Sequence, residues 1–235
     1  MERTKKKVAV FDIDGTIFRS SLLIELVENL IDRGLFPQEA RELYRKERAG
    51  WLDRTSGYEA YINAVVRSFL KHIKGVPFLE FDEIASDMVD RHRSRVYRFT
   101  RDLIAQLKSE DFYLLAISQS PKGVLDKFCD SFGFDKVYGR FYELGPGDRF
   151  TGKVVDEHLI ANKANIVKRA VEKEGLTLEG SYGVGDTEDD MPFLELVTHP
   201  IAFNPNSGLY RYAKINDWRV VVERKDVIYE VHENF

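Results

Sequence analysis

The stretch VAVFDIDGT, residues 8–16, changes character abruptly in its middle. Its four leading apolar residues predict a strand buried on both faces, as strands at the centre of a parallel sheet are. Asp12, Asp14 and Gly15 follow at once, although two acids and a glycine contribute little to a core. Open α/β sheets bind their ligands at the carboxyl ends of their strands. The stretch therefore predicts a central strand with a functional loop at its end.

A second apolar run ends in the same way. Residues 181–185 (SYGVG) predict a short strand, and residues 186–190 (DTEDD) then supply a group of acids. If both strands lie near the centre of one parallel sheet, their carboxyl ends meet at the same edge. We therefore expect Asp186 to converge with Asp12 and Asp14.

The residues of this predicted cluster suit metal-assisted phosphoryl transfer. Mg²⁺ prefers oxygen ligands and uses few carboxylates, so Asp12, Asp14 and Asp186 predict a Mg²⁺ site. Asp12 can attack phosphorus as a nucleophile. Asp14, on the same face of an extended chain, can protonate the leaving alcohol and later deprotonate water. An ordinary acidic turn is the alternative, and a second acid cluster at another strand end disfavours it.

Two further residues are candidates for holding the phosphoryl group. Ser118 ends the apolar run of residues 112–118, so its hydroxyl and the backbone N–H that follows at Gln119 would face the same edge of the sheet. Lys163 opens a predicted helix, and its ammonium could pair with Asp12 and with the transferring group. A plain polar strand end and a solvated helical lysine remain the alternatives.

The rest of the chain alternates strand-like and helix-like segments. This order predicts an α/β fold with a doubly wound, mainly parallel sheet of about five or six strands. Residues 138–155 predict a β-hairpin with its turn at residues 145–148.

Three polar residues are expected to begin helices as N-caps. They are Thr100, Ser120 and Asn162, each of which precedes an apolar pattern of helical spacing. Pro121 strengthens the assignment of Ser120, because proline is favoured at the first helical position.

Residues 20–98 differ from the remainder, because apolar residues recur in them at helical spacing throughout. One stripe begins at Leu23 and another at Tyr58. We predict a helical cap subdomain over 20–98, inserted after the first strand into an α/β core formed by 1–19 and 99–235. The aromatic stripe is expected to be mainly core, with one or two members lining a substrate pocket.

Composition limits the classes of protein that fit. The net charge is −4 over 235 residues, which disfavours a nucleic-acid partner. No apolar stretch is long enough to predict a membrane span. The single cysteine, Cys129, excludes an intramolecular disulfide, favours a cytoplasmic location and is expected to be a buried core thiol. Monomer and homodimer both remain open.

Together these residues resemble the motifs of the haloacid dehalogenase-like hydrolase superfamily, in its phosphoserine phosphatase-like branch of the subfamily IB type. Asp12-Ile13-Asp14-Gly15-Thr16 is similar to the first motif, DxDGT, and residues 185–190 are similar to the fourth, GDxxxD. Ser118 and Lys163 match the second and third motifs. The four occur in the order of the family and cover nearly the whole chain. The resemblance implies a Rossmann-like core and a Mg²⁺-dependent phosphatase.

The resemblance also implies roles for individual residues. Asp12 would be the nucleophile and a metal ligand, and Asp14 the acid/base, binding the metal through its backbone carbonyl. Asp186 would be the carboxylate that binds the metal. Asp190, with Asp189 beside it, would orient water molecules on the metal. The residues that would hold the substrate's phosphoryl group are Ser118, Gln119 and Lys163.

Departures from this branch concern the substrate. Phosphoserine phosphatases have an early cap glutamate for the substrate ammonium, where this chain has Ser21, with Glu25 as a loose substitute. Arg67 is the candidate for a cap arginine that binds the substrate carboxylate. The second motif continues with Gln119 and Ser120 instead of glycines. The reaction class survives these departures, whereas L-phosphoserine becomes doubtful as the substrate.

The sequence therefore predicts a phosphoric monoester hydrolase that acts on a small phosphorylated metabolite through an aspartyl-phosphate on Asp12. A phosphotransferase that uses the same aspartate is the first alternative, because the motifs do not separate the two. A non-catalytic module that binds metal or phosphate is the second, and the presence of both Asp12 and Asp14 disfavours it.

Overall fold

A computed structural model describes residues 5–155 and 162–231. Within these ranges the strands form one eight-stranded sheet, in the order β4-β3-β2-β1-β5-β6-β7-β8. The strands are β1 (Lys7–Phe11), β2 (Tyr113–Pro121), β3 (Lys136–Gly145), β4 (Arg149–Val155), β5 (Thr177–Gly185), β6 (His199–Phe203), β7 (Arg219–Arg224) and β8 (Val227–Glu230).

Helices connect these strands. They are α1 (Leu22–Asp32), α2 (Arg45–Leu52), α3 (Tyr58–His72), α4 (Phe78–His92), α5 (Arg98–Ser109), α6 (Lys122–Asp130), α7 (Lys163–Glu174), α8 (Met191–Leu194) and α9 (Ser207–Ile215). Short 3₁₀ helices cover Gln38–Leu43 and Glu188–Asp190. Across the two described ranges, no helix combines the length and apolarity that a membrane span needs.

The predicted fold class is confirmed. Six strands, β3, β2, β1, β5, β6 and β7, run parallel, and β4 and β8 pair antiparallel at the two edges. The expected number of strands was too low. Strand β8 was missed because its side chains are mostly exposed, so it lacks the apolar run that marks a buried strand.

Strand β1 divides its side chains between two layers of helices. Ala9 and Phe11 belong to one buried cluster, which includes residues of α1 and α3–α6. Val8 and Val10 belong to a second cluster with residues of α7, α8 and α9. Because alternate residues of a strand face opposite sides, one short run serves both layers. The central strand is thereby fixed on both faces, and so is the loop that follows it.

Helices α1–α4 and the first 3₁₀ helix lie between β1 and α5, in the segment predicted as a cap. Its two connections to the sheet run side by side: the Arg19 N–H donates to the Arg95 carbonyl at 2.9 Å, and the Tyr97 N–H donates to the Ile17 carbonyl at 3.0 Å. The boundaries 20–98 lie beside this pairing. They remain our proposal for the extent of the cap.

The turn between α3 and α4 is joined to the β3–β4 hairpin. The N–H of Gly75 donates to the carbonyl of Phe150 at 2.7 Å, and the N–H of Phe150 donates to Val76 at 3.0 Å. The Phe78 N–H donates to the Asp148 carbonyl at 2.8 Å. The helical segment is therefore bonded to the hairpin as well as to its own two connections.

Two of the three expected N-caps were wrong. Helix α5 begins at Arg98, and the buried hydroxyl of Thr100 donates to the carbonyl of Thr16 at 3.0 Å. Ser120 belongs to β2, while α6 begins at Lys122. In both cases the hydroxyl bonds to the loop after β1 and does not cap its helix.

The third cap is confirmed. Helix α7 begins at Lys163, and the side chain of Asn162 accepts from the N–H of Asn165. The buried core thiol expected at Cys129 is confirmed too, and burial raises the pKa of that thiol.

The side chain of Phe203, in β6, packs against the start of α5. Its ring is fully buried, with centroids 5.0 Å from Tyr97 and 5.5 Å from Phe99. We expect Phe203→Ala to lower the free energy of unfolding by about 3–5 kcal/mol, because it removes buried surface and leaves a cavity. Urea denaturation followed by circular dichroism measures this change. Leu79→Ala is the control, since Leu79 is 69% exposed; equal losses in both variants would contradict the described packing.

Candidate active site

Asp12 lies directly after β1, between the ends of β2 and β5. Its N–H donates to the carbonyl of Val184 at 2.9 Å, which extends the β1–β5 pairing by one residue. Its side chain is buried, and Oδ1 accepts from Nζ of Lys163 at 2.6 Å. Oδ2 is buried without a hydrogen-bond partner in the part of the chain that the structure describes.

Lys163 joins the two acidic loops. Its Nζ also donates to Oδ1 of Asp190 at 2.5 Å, and the whole side chain is buried at the start of α7. Burial alone would lower the pKa of this amine. The carboxylates of Asp12 and Asp190 outweigh burial and raise the pKa, so Lys163 is a cation in the site.

Asp190 organises the loop that follows β5. Its Oδ2 accepts from the N–H groups of Asp186 at 3.0 Å and Thr187 at 3.1 Å, while Oδ1 takes the bond from Lys163. The Asp190 side chain is completely buried. Both of its oxygens are thus engaged in shaping the loop that presents Asp186.

Three carboxylates converge at this edge of the sheet. Ligand atoms of Asp12, Asp186 and Asp190 lie within 4.8 Å of one another. Burial raises the pKa of Asp12 to about 7, with Lys163 acting in the opposite direction. Burial and then the charges of Asp12 and Asp190 raise the pKa of Asp186 well above its usual value. The single ammonium of Lys163 therefore leaves the cluster short of positive charge, which a divalent cation would supply.

Gly15 allows the first loop to approach Asp186. Its φ is +85°, and a β-carbon at this position would lie 2.1 Å from Oδ2 of Asp186. Thr16, the next residue, donates to Oδ1 of Asp186 at 3.3 Å. The two motif loops are therefore in direct contact, and only glycine fits at position 15.

Asp14 is held by hydrogen bonds to both of its oxygens. Its Oδ1 accepts from the N–H of Leu22 at 2.6 Å. Its Oδ2 accepts from the hydroxyls of Ser118 at 2.7 Å and Ser120 at 2.8 Å. Sequence reasoning placed Ser118 near the site but missed Ser120. The spacing of the two serines could have indicated Ser120, because residues two apart in an extended strand share a face.

The electrostatic surroundings of Tyr58, the first residue of α3, include the carboxylates of the candidate site. Burial raises the pKa of the Tyr58 hydroxyl, and the nearby charges of Asp14 and Asp186 raise it further, while a hydrogen bond with the Ser21 side chain acts against them. That a member of the aromatic stripe lines a substrate pocket stays a prediction, with Tyr58 as its candidate. In the sequence, nothing distinguished Tyr58, the first residue of α3, from the other aromatic residues of the stripe.

Two predicted site residues lie in other surroundings. The side-chain oxygen of Gln119 accepts a hydrogen bond from Arg140, so its side chain is engaged with β3. Asp189 is exposed on the short 3₁₀ helix, whereas its neighbour Asp190 is buried. Roles for the Gln119 backbone and for Asp189 remain predictions.

The two candidates for substrate recognition in the cap also lie elsewhere. The carboxylate of Glu25 binds Arg95 at 3.0 Å and lies 3.7 Å from His92. Arg67 is exposed on α3, nine residues after Tyr58. Nine residues turn a helix through about 900°, so Arg67 projects from the side opposite Tyr58. Neither residue is therefore placed to bind a substrate ammonium or a substrate carboxylate, as the corresponding residues of a phosphoserine phosphatase would.

Comparison with known proteins agrees with this geometry. The family model described as "haloacid dehalogenase-like hydrolase" matches residues 9–195, so the chain belongs to this family of hydrolases. A histidinol-phosphatase of Neisseria meningitidis serogroup C (strain 8013) is 25% identical over 226 residues, covering 92% of this chain and 98% of its own. A phosphoserine phosphatase of Archaeoglobus fulgidus is 25% identical over 206 residues, covering 87% of this chain but only 54% of its own.

A solved structure gives the same picture of the fold. The phospho-aspartyl intermediate analogue of a phosphoserine phosphatase superposes with a TM-score of 0.63 at 21% identity, covering 95% of this chain and 96% of the other. The predicted family and fold are therefore confirmed. The phosphatases among the relatives support the predicted enzyme class, a phosphoric monoester hydrolase.

The contact between Gly15 and Asp186 predicts a specific effect on metal binding. We expect Mg²⁺ to raise the unfolding temperature of the wild type, because a ligand that binds only the folded state stabilises it. Gly15→Ala should abolish that increase, because its methyl group displaces the carboxylate of Asp186. Differential scanning calorimetry with Mg²⁺ and with EDTA measures the effect.

Gly34→Ala is the matched control for this substitution. Gly34 also has a positive φ, +76°, but a β-carbon added there would have no atom of the described residues within 4 Å. The variant should lose stability through backbone strain alone and keep the response to Mg²⁺. A wild type without any response, or a full response in Gly15→Ala, would contradict the site.

Proposed function

We propose that this chain is a Mg²⁺-dependent phosphatase that hydrolyses a small phosphomonoester through an aspartyl-phosphate on Asp12. The state of Asp12 carries the proposal. It is a buried carboxylate at the end of the central strand, with one oxygen held by Lys163 and the other without a described partner. Such a carboxylate is fixed in orientation while one oxygen stays available, as a weak nucleophile that depends on in-line positioning requires.

The residues at this edge fit a divalent metal ion. The carboxylates of Asp12 and Asp186 and the backbone carbonyl of Asp14 would hold it. The close approach of three carboxylates, with ligand atoms within 4.8 Å of one another, and the raised pKa values of Asp12 and Asp186 both support a missing positive charge. When bound, Mg²⁺ would polarise a phosphoryl oxygen and shield the attacking carboxylate from the charge of the substrate.

The residues then divide the two steps of hydrolysis. A carboxylate oxygen of Asp12 bonds to phosphorus as the ester bond to the leaving oxygen breaks, and Asp14 gives that oxygen a proton. In the second step Asp14 takes a proton from water, which bonds to phosphorus as the bond to Asp12 breaks. Lys163 keeps Asp12 oriented and offsets charge on the phosphoryl group. Ser118 would bind a phosphoryl oxygen.

The relatives and two residues of the helical segment support a small substrate that differs from phosphoserine. The names of relatives, a histidinol-phosphatase and a phosphoserine phosphatase, support a small phosphorylated metabolite. Where phosphoserine phosphatases have their cap glutamate, this chain has the buried Ser21. Because Glu25 is paired with Arg95, neither residue offers a free carboxylate for a substrate ammonium. We therefore propose a leaving group that lacks an amino-acid head.

Phosphate release tests the proposed reaction. Purified protein is given a panel of phosphorylated metabolites with Mg²⁺ or with EDTA, and inorganic phosphate is measured. We expect release by the wild type with Mg²⁺ only, and a loss of at least about 10³-fold in Asp12→Asn, because the amide cannot form the covalent intermediate. Asp111→Asn is the control, since this side chain is 89% exposed.

Other outcomes of that assay distinguish the alternatives. Phosphate release that falls while an added alcohol gains the phosphoryl group would identify a phosphotransferase. An active Asp12→Asn variant would reject Asp12 as the nucleophile. No turnover of any panel member, together with Mg²⁺ binding, would favour the non-catalytic module.

Tyr58 supplies a prediction about specificity. We expect Tyr58→Phe to change the ratio of kcat/KM between two good substrates by about tenfold, because it removes a hydroxyl that would be offered to a leaving group beside Asp14. Inhibition by inorganic phosphate should stay unchanged. Tyr44→Phe is the control, because that hydroxyl donates to Glu28 at 2.9 Å within the helical segment. Equal effects of both variants on the ratio would show that Tyr58 has no special place in recognition.

A further inference from the structure

Two serine hydroxyls share a single oxygen of Asp14. Ser118 and Ser120 both donate to Oδ2, at 2.7 and 2.8 Å, and both side chains are buried. Oδ1 accepts from the backbone N–H of Leu22, which cannot move independently of α1. The orientation of the Asp14 carboxylate thus depends on one backbone donor and two hydroxyl donors.

The two hydroxyls are not equivalent. The oxygen of Ser118 also accepts from the N–H of Ser120 at 2.9 Å, which fixes the Ser118 side chain three residues before the end of β2. A serine hydroxyl has one proton to donate. When Ser118 donates to a phosphoryl oxygen of the substrate, it therefore stops donating to Asp14. Ser120 is then the hydroxyl that still holds Oδ2.

We propose that Ser120 is a positioning residue, which keeps Asp14 aimed at the leaving oxygen while Ser118 binds the phosphoryl group. The proposal rests on the proposed function. Ser120 acts through Asp14 in the step where the ester bond breaks and the proton of Asp14 passes to the leaving oxygen. A loss of Ser120 therefore matters most where the leaving group needs that proton.

Leaving-group dependence tests this role. Ser120→Ala and Ser118→Ala are compared with the wild type on p-nitrophenyl phosphate, whose leaving group departs without protonation, and on the best alkyl phosphate of the metabolite panel. The quantity measured is kcat/KM, which reports the steps up to formation of the aspartyl-phosphate. Inhibition by inorganic phosphate is measured in parallel as a readout of the phosphoryl site.

For Ser120→Ala we expect kcat/KM to fall about tenfold or more on the alkyl phosphate and less than about threefold on the aryl phosphate, because the lost hydrogen bond would stabilise the negative charge that develops on Asp14 only as its proton leaves. Inhibition by phosphate should be unchanged. Ser118→Ala should lose kcat/KM on both substrates and bind phosphate more weakly.

Three results would overturn the inference. Equal losses on both substrates would show that Ser120→Ala disturbs the site generally. Weaker inhibition by phosphate in Ser120→Ala would assign this residue to the phosphoryl site instead. An unchanged Ser120→Ala variant would show that Ser118 and Leu22 suffice. These outcomes leave the proposed function intact, whereas a wild type that hydrolyses neither substrate would reject both.

Discussion

The candidate site depends on one buried ammonium group. Lys163 donates to Asp12 in the loop after β1 and to Asp190 in the loop after β5. It is the first residue of α7, a helix of the layer that packs with Val8 and Val10. Removing one member of a buried ion pair leaves an uncompensated charge, which is strongly destabilising. Substitution of any one of Lys163, Asp12 and Asp190 is therefore expected to destabilise the arrangement of the other two. The side chains of Lys163, Asp12 and Asp190 thus connect the helix, the central strand and the loop after β5, and Asp12 among them is the proposed nucleophile.

A second set of hydrogen bonds, donated by hydroxyl groups, surrounds Lys163 and its carboxylates. Thr100 bonds to the carbonyl of Thr16, and Thr16 in turn bonds to Asp186. Ser118 and Ser120 hold Asp14 in the same manner. Each hydroxyl comes from a different element than the group it holds. The loop after β1 is thus held from outside by α5, β2 and the loop after β5, in addition to its own backbone hydrogen bonds and the turn at Gly15.

The sequence was informative where physical constraints act locally. Continuous apolar runs revealed β1 and the other buried parallel strands, because a strand covered on both faces is apolar at consecutive positions. Asn162 capped its helix as expected, since the cap bond spans three residues. Thr100 and Ser120 carried the same local signal but use their hydroxyls for partners 84 and 106 residues away. Such choices depend on the assembled fold, and no local pattern records them.

The joint between the α3–α4 turn and the β3–β4 hairpin has a mechanical consequence. The helical segment is bonded at its two connections near Arg19 and Tyr97, and again at Gly75 and Phe78. A movement of this segment relative to the sheet must either break the backbone bonds to the hairpin or bend the hairpin along with the helices. Any displacement of α3 and α4 is therefore coupled to the strands at this edge of the sheet.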